Sequence, residues 1–170
     1  PNGAVKLKAG AREMVRLLCV WTGGTEGGLP RWILAVLAGI SPGSGTASDY
    51  LSKIKAAGVV VEENGVFTPT DEGFKLWTNP GEMPSGDELL QRHRGAKLKA
   101  GAVRMVEILR NVGGEGLTRG ELAEHLAAAG TPIERSSGTF SDYSSKIKRT
   151  GLVVEINGKL KLSAAWGYCR

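Results

Sequence analysis

Apolar residues along this chain recur first at three- and four-residue intervals and then at every second residue, after which the whole succession begins again. Leu7, Ala11, Met14, Val15, Leu18 and Cys19 fall on one face of a helix. The run Gly23-Gly24-Thr25-Glu26-Gly27-Gly28 interrupts it, and a second helix is predicted over about 30–38 with Pro30 at its start, where the missing N–H is no loss. Ser41-Pro42-Gly43 makes a turn, and a third helix follows over about 47–57, closed by Gly58. Val59-Val60-Val61-Glu62 and Val66-Phe67-Thr68 then flank Glu63-Asn64-Gly65, whose Asn-Gly predicts a tight hairpin.

The second half repeats this order. It predicts a helix over about 98–112, a second capped by Thr118 and running to about 129, a third over about 140–150 closed by Gly151, and two strands around Ile156-Asn157-Gly158. Literal repetition accompanies the pattern. Lys6-Leu7-Lys8-Ala9-Gly10-Ala11 returns as Lys97-Leu98-Lys99-Ala100-Gly101-Ala102, and Ser44-Gly45-Thr46-Ala47-Ser48-Asp49-Tyr50 returns as Ser137-Gly138-Thr139-Phe140-Ser141-Asp142-Tyr143. A period of about 90 residues is too long for a solenoid and suits a small domain. Two domains are therefore expected, at residues 1–77 and 95–170, joined by a partly ordered linker at 78–94 in which Ser85-x-x-Glu88 has capping-box spacing.

Three helices followed directly by a hairpin make a mainly α chain with small β-hairpins, an α+β class, and match the plan of a winged helix-turn-helix module. The repeated Ser-Gly-Thr-x-Ser-Asp-Tyr-x-Ser-Lys-Ile-Lys string resembles the winged-helix modules of bacterial and phage DNA-binding proteins and of the C-terminal regions of some P-loop ATPases. The resemblance covers most of both copies and implies two tandem winged helix-turn-helix domains. It also implies that each third helix is the DNA reader and each hairpin a wing. The chain itself has no Walker motif, so any ATPase would be a parent or partner protein.

Charge sharpens the picture when divided by copy. Residues 1–77 hold eight Lys and Arg against seven Asp and Glu, whereas residues 95–170 hold twelve against seven and so carry the basic character of a chain with net charge +5. On each third helix one face is apolar, with Ala47, Tyr50, Leu51 and Ile54 in the first copy and Phe140, Tyr143 and Ile147 in the second. The remaining face supplies the candidate DNA contacts: Ser44, Ser48, Ser52, Lys53 and Lys55, then Ser137, Thr139, Ser141, Ser145, Lys146, Lys148 and Arg149. Short hydroxyls suit phosphate and base edges, and lysines supply salt-sensitive attraction, although any solvated helix face has a similar make-up. Thr46-x-x-Asp49 and Thr139-x-x-Asp142 have capping-box spacing, which assigns both acids to capping. Lys159 and Lys161 make the second hairpin a convincing wing, while Glu62 and Glu63 make the first an acidic one. Lys6, Lys8, Arg12, Lys97, Lys99 and Arg104 form further basic patches at the first helices.

The second helices differ most between copies. Trp32, Ile33 and Val36 stand where the sister copy has Gly120, Glu121 and Glu124, an apolar surplus that predicts a partner interface on the first module, covered by the other module, a second chain or the remainder of a longer protein. The sequence thus points to double-stranded DNA binding by a regulator or by the DNA-contacting part of a larger protein. The alternative is a protein–protein interaction or dimerisation scaffold of a chromosome- or ATPase-associated complex, with a homodimer or an ATPase held through module 1. Single-stranded nucleic acid is disfavoured by the scarcity of aromatics for base stacking. No enzyme, cofactor or metal is expected: Cys19 and Cys169 have no CxxC spacing, and His93 (linker surface) and His125 lack partners in sequence. No apolar run is long enough to span a bilayer and Pro1-Asn2-Gly3 does not begin a signal peptide, so a cytoplasmic protein with no membrane partner is expected; the missing Met suggests a fragment of a longer chain.

Overall fold

The computed structural model describes residues 6–25, 27–95 and 98–170. Its contacts divide the chain into two units, the first ending at Ser85 and the second spanning Gly86–Cys169. The first contains α1 (Ala9–Gly24), β1 (Leu29–Pro30), α2 (Arg31–Leu37), α3 (Gly45–Ala56), β2 (Val60–Glu63), β3 (Val66–Pro69) and the short α4 (Asp71–Lys75). The second contains α5 (Gly86–Arg94), α6 (Ala100–Val112), β4 (Leu117–Thr118), α7 (Arg119–Ala128), α8 (Gly138–Arg149), β5 (Val153–Ile156), β6 (Lys159–Leu162) and a closing 3-10 turn at Ala164–Tyr168. The chain is therefore mainly helical, with two small antiparallel sheets, an α+β arrangement.

Each sheet has three strands, in the orders β1-β3-β2 and β4-β6-β5, where the sequence predicts a two-stranded hairpin. The additional strand is only two residues long, too short to show alternation, and its pairing is non-local: Leu29 lies opposite Phe67 and Leu117 opposite Leu160. Gly28 and Gly116 permit that pairing, because a β-carbon on either would collide with the central strand at Phe67 or Leu160. Both hairpins turn through the expected Asn-Gly pair, with φ of 51° and 78° at Asn64 and Gly65 and of 52° and 75° at Asn157 and Gly158.

In the first unit α1 packs on α2, α3 and β3; in the second α6 packs on α7, α8 and β6. The predicted core faces of the third helices are buried, with Ala47, Leu51, Ile54, Phe140 and Ile147 essentially inaccessible and the rings of Tyr50 and Tyr143 partly so. Each tyrosine ring lies over the glycine of the repeated Lys-Leu-Lys-Ala-Gly-Ala segment, at Gly10 and Gly101, where any methyl group would overlap it. That close approach seats the third helix on the first in both units and accounts for the glycine in both copies.

The connector carries an ordered helix after its capping-box serine. Gly86–Arg94 folds as α5 within the second unit, and Leu89, Leu90 and His93 are buried. His93, expected at the surface, lies one turn beyond Leu89 and so shares its buried face. Ile33 and Val36 of α2 are likewise covered by the chain itself, at 3% and 0% exposure, which leaves only Trp32, at 38%, available to a second molecule.

Candidate nucleic-acid interface

The third helices begin one residue after a serine cap. Ser44 Oγ accepts from Ala47 N–H at 3.2 Å and donates to Ser41 C=O at 2.7 Å; Ser137 Oγ accepts from Phe140 N–H at 3.1 Å and donates to Glu134 C=O at 2.7 Å. This overturns the assignment of the caps to Thr46 and Thr139 and of Asp49 and Asp142 to capping boxes. The aspartates instead meet lysines one turn on, Lys53 at 2.9 Å and Lys146 at 3.0 Å, as i,i+4 pairs do. The Ser44 and Ser137 hydroxyls are thus engaged in capping, while Ser48, Ser52, Thr139, Ser141 and Ser145 stand exposed with Arg149 along the outer faces of α3 and α8.

The two faces differ in how their cations are balanced. On the first unit Lys53 pairs with Asp49, and Lys55 with Glu62 at 2.7 Å. On the second, Lys146 is paired, Lys148 stands 4.0 Å from Glu155, and Arg149, Lys159 and Lys161 have no ion-pair partner among the described residues. Surface pairs of this kind contribute at most about 1 kcal/mol, so paired lysines remain available to a phosphate.

Strand register separates two groups that the sequence joins. Leu160 faces the core opposite Glu155 and Leu117, so Lys159 and Lys161, one residue to either side, point from the other face of the sheet, opposite Ile156 and Val154. Glu155 reaches Lys148 of α8 from the core side of the sheet. Lys146, Lys148 and Arg149 therefore form one group with α8, and Lys159 and Lys161 a second on the outer sheet face.

Two arginines outside the sequence-derived set flank the third helices, Arg31 beside α3 in the first unit and Arg119 beside the α8 group in the second. Arg31 and Arg119 open α2 and α7 at equivalent positions, one residue after the short strand. Arg31 donates to Ser48 Oγ at 2.8 Å, across the α2–α3 angle, and Arg119 donates to Glu155 at 3.1 Å. The occurrence of arginine at the same place in both copies was the available signal. Of the first-helix patches, Lys6, Lys8 and Lys99 are exposed, the Arg12 guanidinium lies 5.3 Å above the Trp77 ring, Arg104 meets Glu107 at 3.5 Å, and Lys97 lies outside the described residues.

Other chemistry is sparse. Among the described residues no three His, Cys, Asp or Glu side chains form a metal-binding group, and no helix is long and apolar enough to cross a membrane. Burial pushes the thiols of Cys19 and Cys169 above the ordinary range, the second against an opposing pull from Arg110 and Arg92. A depression of about 340 Å³ in the second unit is lined by Arg104, Glu107, Ile108, Arg110, Asn111 and Ala129; Arg104 is paired with Glu107 and Arg110 with Asp87. The chain matches no protein-family model, no curated protein and no solved structure.

Proposed function

We propose that the chain binds double-stranded DNA through two tandem winged-helix modules, with the second as the more strongly attracted, in a bacterial or phage regulator or the DNA-contacting part of a larger cytoplasmic protein. One observation carries the reading: in both units the third helix buries its apolar face and leaves outward a row of short hydroxyls and cations, and a hairpin follows at once. The order helix, strand, helix, helix, strand, strand, with the first strand beside the last, is what a winged helix-turn-helix requires. Ser141 and Ser145 offer hydrogen bonds to phosphate or base edges; Lys146, Lys148 and Arg149 supply attraction. Neither α3 nor α8 carries an outward Asn, Gln or Arg in its middle turns, so bidentate base reading is not built in and backbone contacts dominate.

The test is a salt series. Fluorescence anisotropy with a random duplex gives log K against log salt, whose slope approaches about −0.9 per phosphate neutralised. Converting Lys146, Lys148 and Arg149 together to Gln makes the slope shallower by about 2 to 3. Unchanged binding and slope would refute the α8 face.

A protein-binding role for the first unit is favoured by one observation. Its α3 lysines are both paired, while Trp32 and Val61 stand 38% and 51% exposed. On this reading the first unit holds a second copy or a parent ATPase, and Trp32→Glu abolishes the association in light scattering without altering DNA affinity.

A further inference from the structure

Glu62 and Glu155 occupy the same place in the two hairpins, as the residues opposite the central-strand Phe67 and Leu160. Lys55 and Lys148 are likewise equivalent on the third helices, and Arg31 and Arg119 on the second. Three identical residue types are therefore arranged twice, and the two arrangements are resolved differently. In the first unit the glutamate goes to the lysine at 2.7 Å, and the arginine rests on the neutral Ser48 hydroxyl. In the second the glutamate goes to the arginine at 3.1 Å and stands 4.0 Å from the lysine.

We propose that Glu155 stands in for a DNA backbone phosphate between Arg119 and Lys148, so that duplex DNA must displace it from the second unit, whereas Arg31 of the first unit meets phosphate without such a competitor. This rests on the DNA-binding reading and assigns its phosphate contacts. A carboxylate and a phosphate oxygen offer the same charge and acceptor geometry to a guanidinium, and two anions crowded onto Arg119 repel each other, so phosphate binds there best once the carboxylate has moved away. Ser48 Oγ competes far less, because a neutral hydroxyl accepts more weakly than an anion. The carboxylate thereby restrains the affinity of the more basic unit, and Arg31 gives the first unit a contact that its paired lysines do not.

Four variants of the full chain test this on one random duplex: Glu155→Gln, Glu124→Gln, Arg31→Gln and Lys75→Gln. Glu124 is exposed on α7 without an ion pair among the described residues, so its variant makes the same charge change on the same unit at a carboxylate that pairs with neither Arg119 nor Lys148. Lys75, on α4 and paired with Glu72 at 2.7 Å, is the control for loss of a cation elsewhere on the same unit. Glu155→Gln is expected to tighten binding about three- to tenfold and steepen the salt slope by about 1, beyond any gain from Glu124→Gln. Arg31→Gln is expected to make the slope shallower by about 1 and Lys75→Gln to leave it unchanged. Equal gains from the two glutamate variants, or equal losses from the two cation variants, would reduce the effect to net charge and overturn the proposal. If the parent chain fails to bind and Glu155→Gln binds, the proposal stands in its strongest form; if no variant binds, the DNA reading itself falls and the proposal with it.

Discussion

Replacing Gly101 with Ala isolates the contact that seats α8 on α6. A methyl group at this position overlaps Cε2 of the Tyr143 ring and comes within 3.1 Å of its Cδ2 and 3.2 Å of Ile133 Cδ1. Two opposing effects follow. Alanine favours a helix over glycine by about 0.5–1 kcal/mol, while forcing a carbon into a filled space costs about 1–3 kcal/mol. The ring is only partly buried and can swing outward, which limits the cost but uncouples α8 from its support. The net is a loss of about 1–2 kcal/mol, or a melting point lower by about 5–10 °C in the second unit. Thermal unfolding by circular dichroism measures it, and a double-mutant cycle with Tyr143→Ala identifies the cause. With the ring gone, Gly101→Ala is expected to be neutral or slightly stabilising, giving a coupling of about 1–2 kcal/mol. Gly10→Ala against Tyr50 repeats the experiment in the first unit. Stabilisation by Gly101→Ala with Tyr143 in place would refute the reasoning, because propensity alone would then govern the site.

Trp77 and Trp166 offer a contrast in hydrogen bonding. Each lies under a guanidinium, at 5.3 Å from Arg12 to Trp77 and 5.1 Å from Arg110 to Trp166, but Trp166 Nε1–H donates to Leu152 C=O at 2.9 Å while the buried Trp77 Nε1–H has no acceptor. Trp166→Phe is expected to cost about 1 kcal/mol more than Trp77→Phe in urea unfolding; equal costs would contradict the assignment. The buried Cys19 and the half-buried Cys169 set a pH dependence. A thiol raised above about 8.5 keeps its proton in the folded chain after the unfolded chain has lost it, so stability falls as pH rises through that range. Replacing Cys19 and Cys169 with Ala should flatten this fall, and iodoacetamide at pH 8 should label Cys19 more slowly in the folded chain than in urea; equal labelling of Cys19 would contradict its burial.

How far the sequence could be read depended on how local each signal was. The Asn64-Gly65 and Asn157-Gly158 turns, the Thr118 cap and the apolar faces of the third helices are set by residues within one turn of each other, and each is found as expected. The two-residue strands were hidden because their partners lie dozens of residues away. Cap assignment failed where two capping-type residues stand close together: Ser44 precedes Thr46, and the acid that completes the box spacing finds Lys53 instead. The surplus at Ile33 and Val36 belongs to a helix buried on more than one side, which residue spacing along the chain does not reveal. At the candidate site the row along α8 was legible, but Arg31, whose hydroxyl partner is 17 residues distant, was not, and neither was the sheet face to which Lys159 and Lys161 belong.

Amide shift mapping during titration with a short random duplex tests the central claim residue by residue. The largest perturbations are expected at Arg119, Ser141, Ser145, Lys148 and Arg149, with smaller ones at Arg31 and Ser48 and none along the buried face of α6. Perturbations confined to surfaces away from α3 and α8, or a spectrum unmoved by excess duplex at low salt, would contradict it.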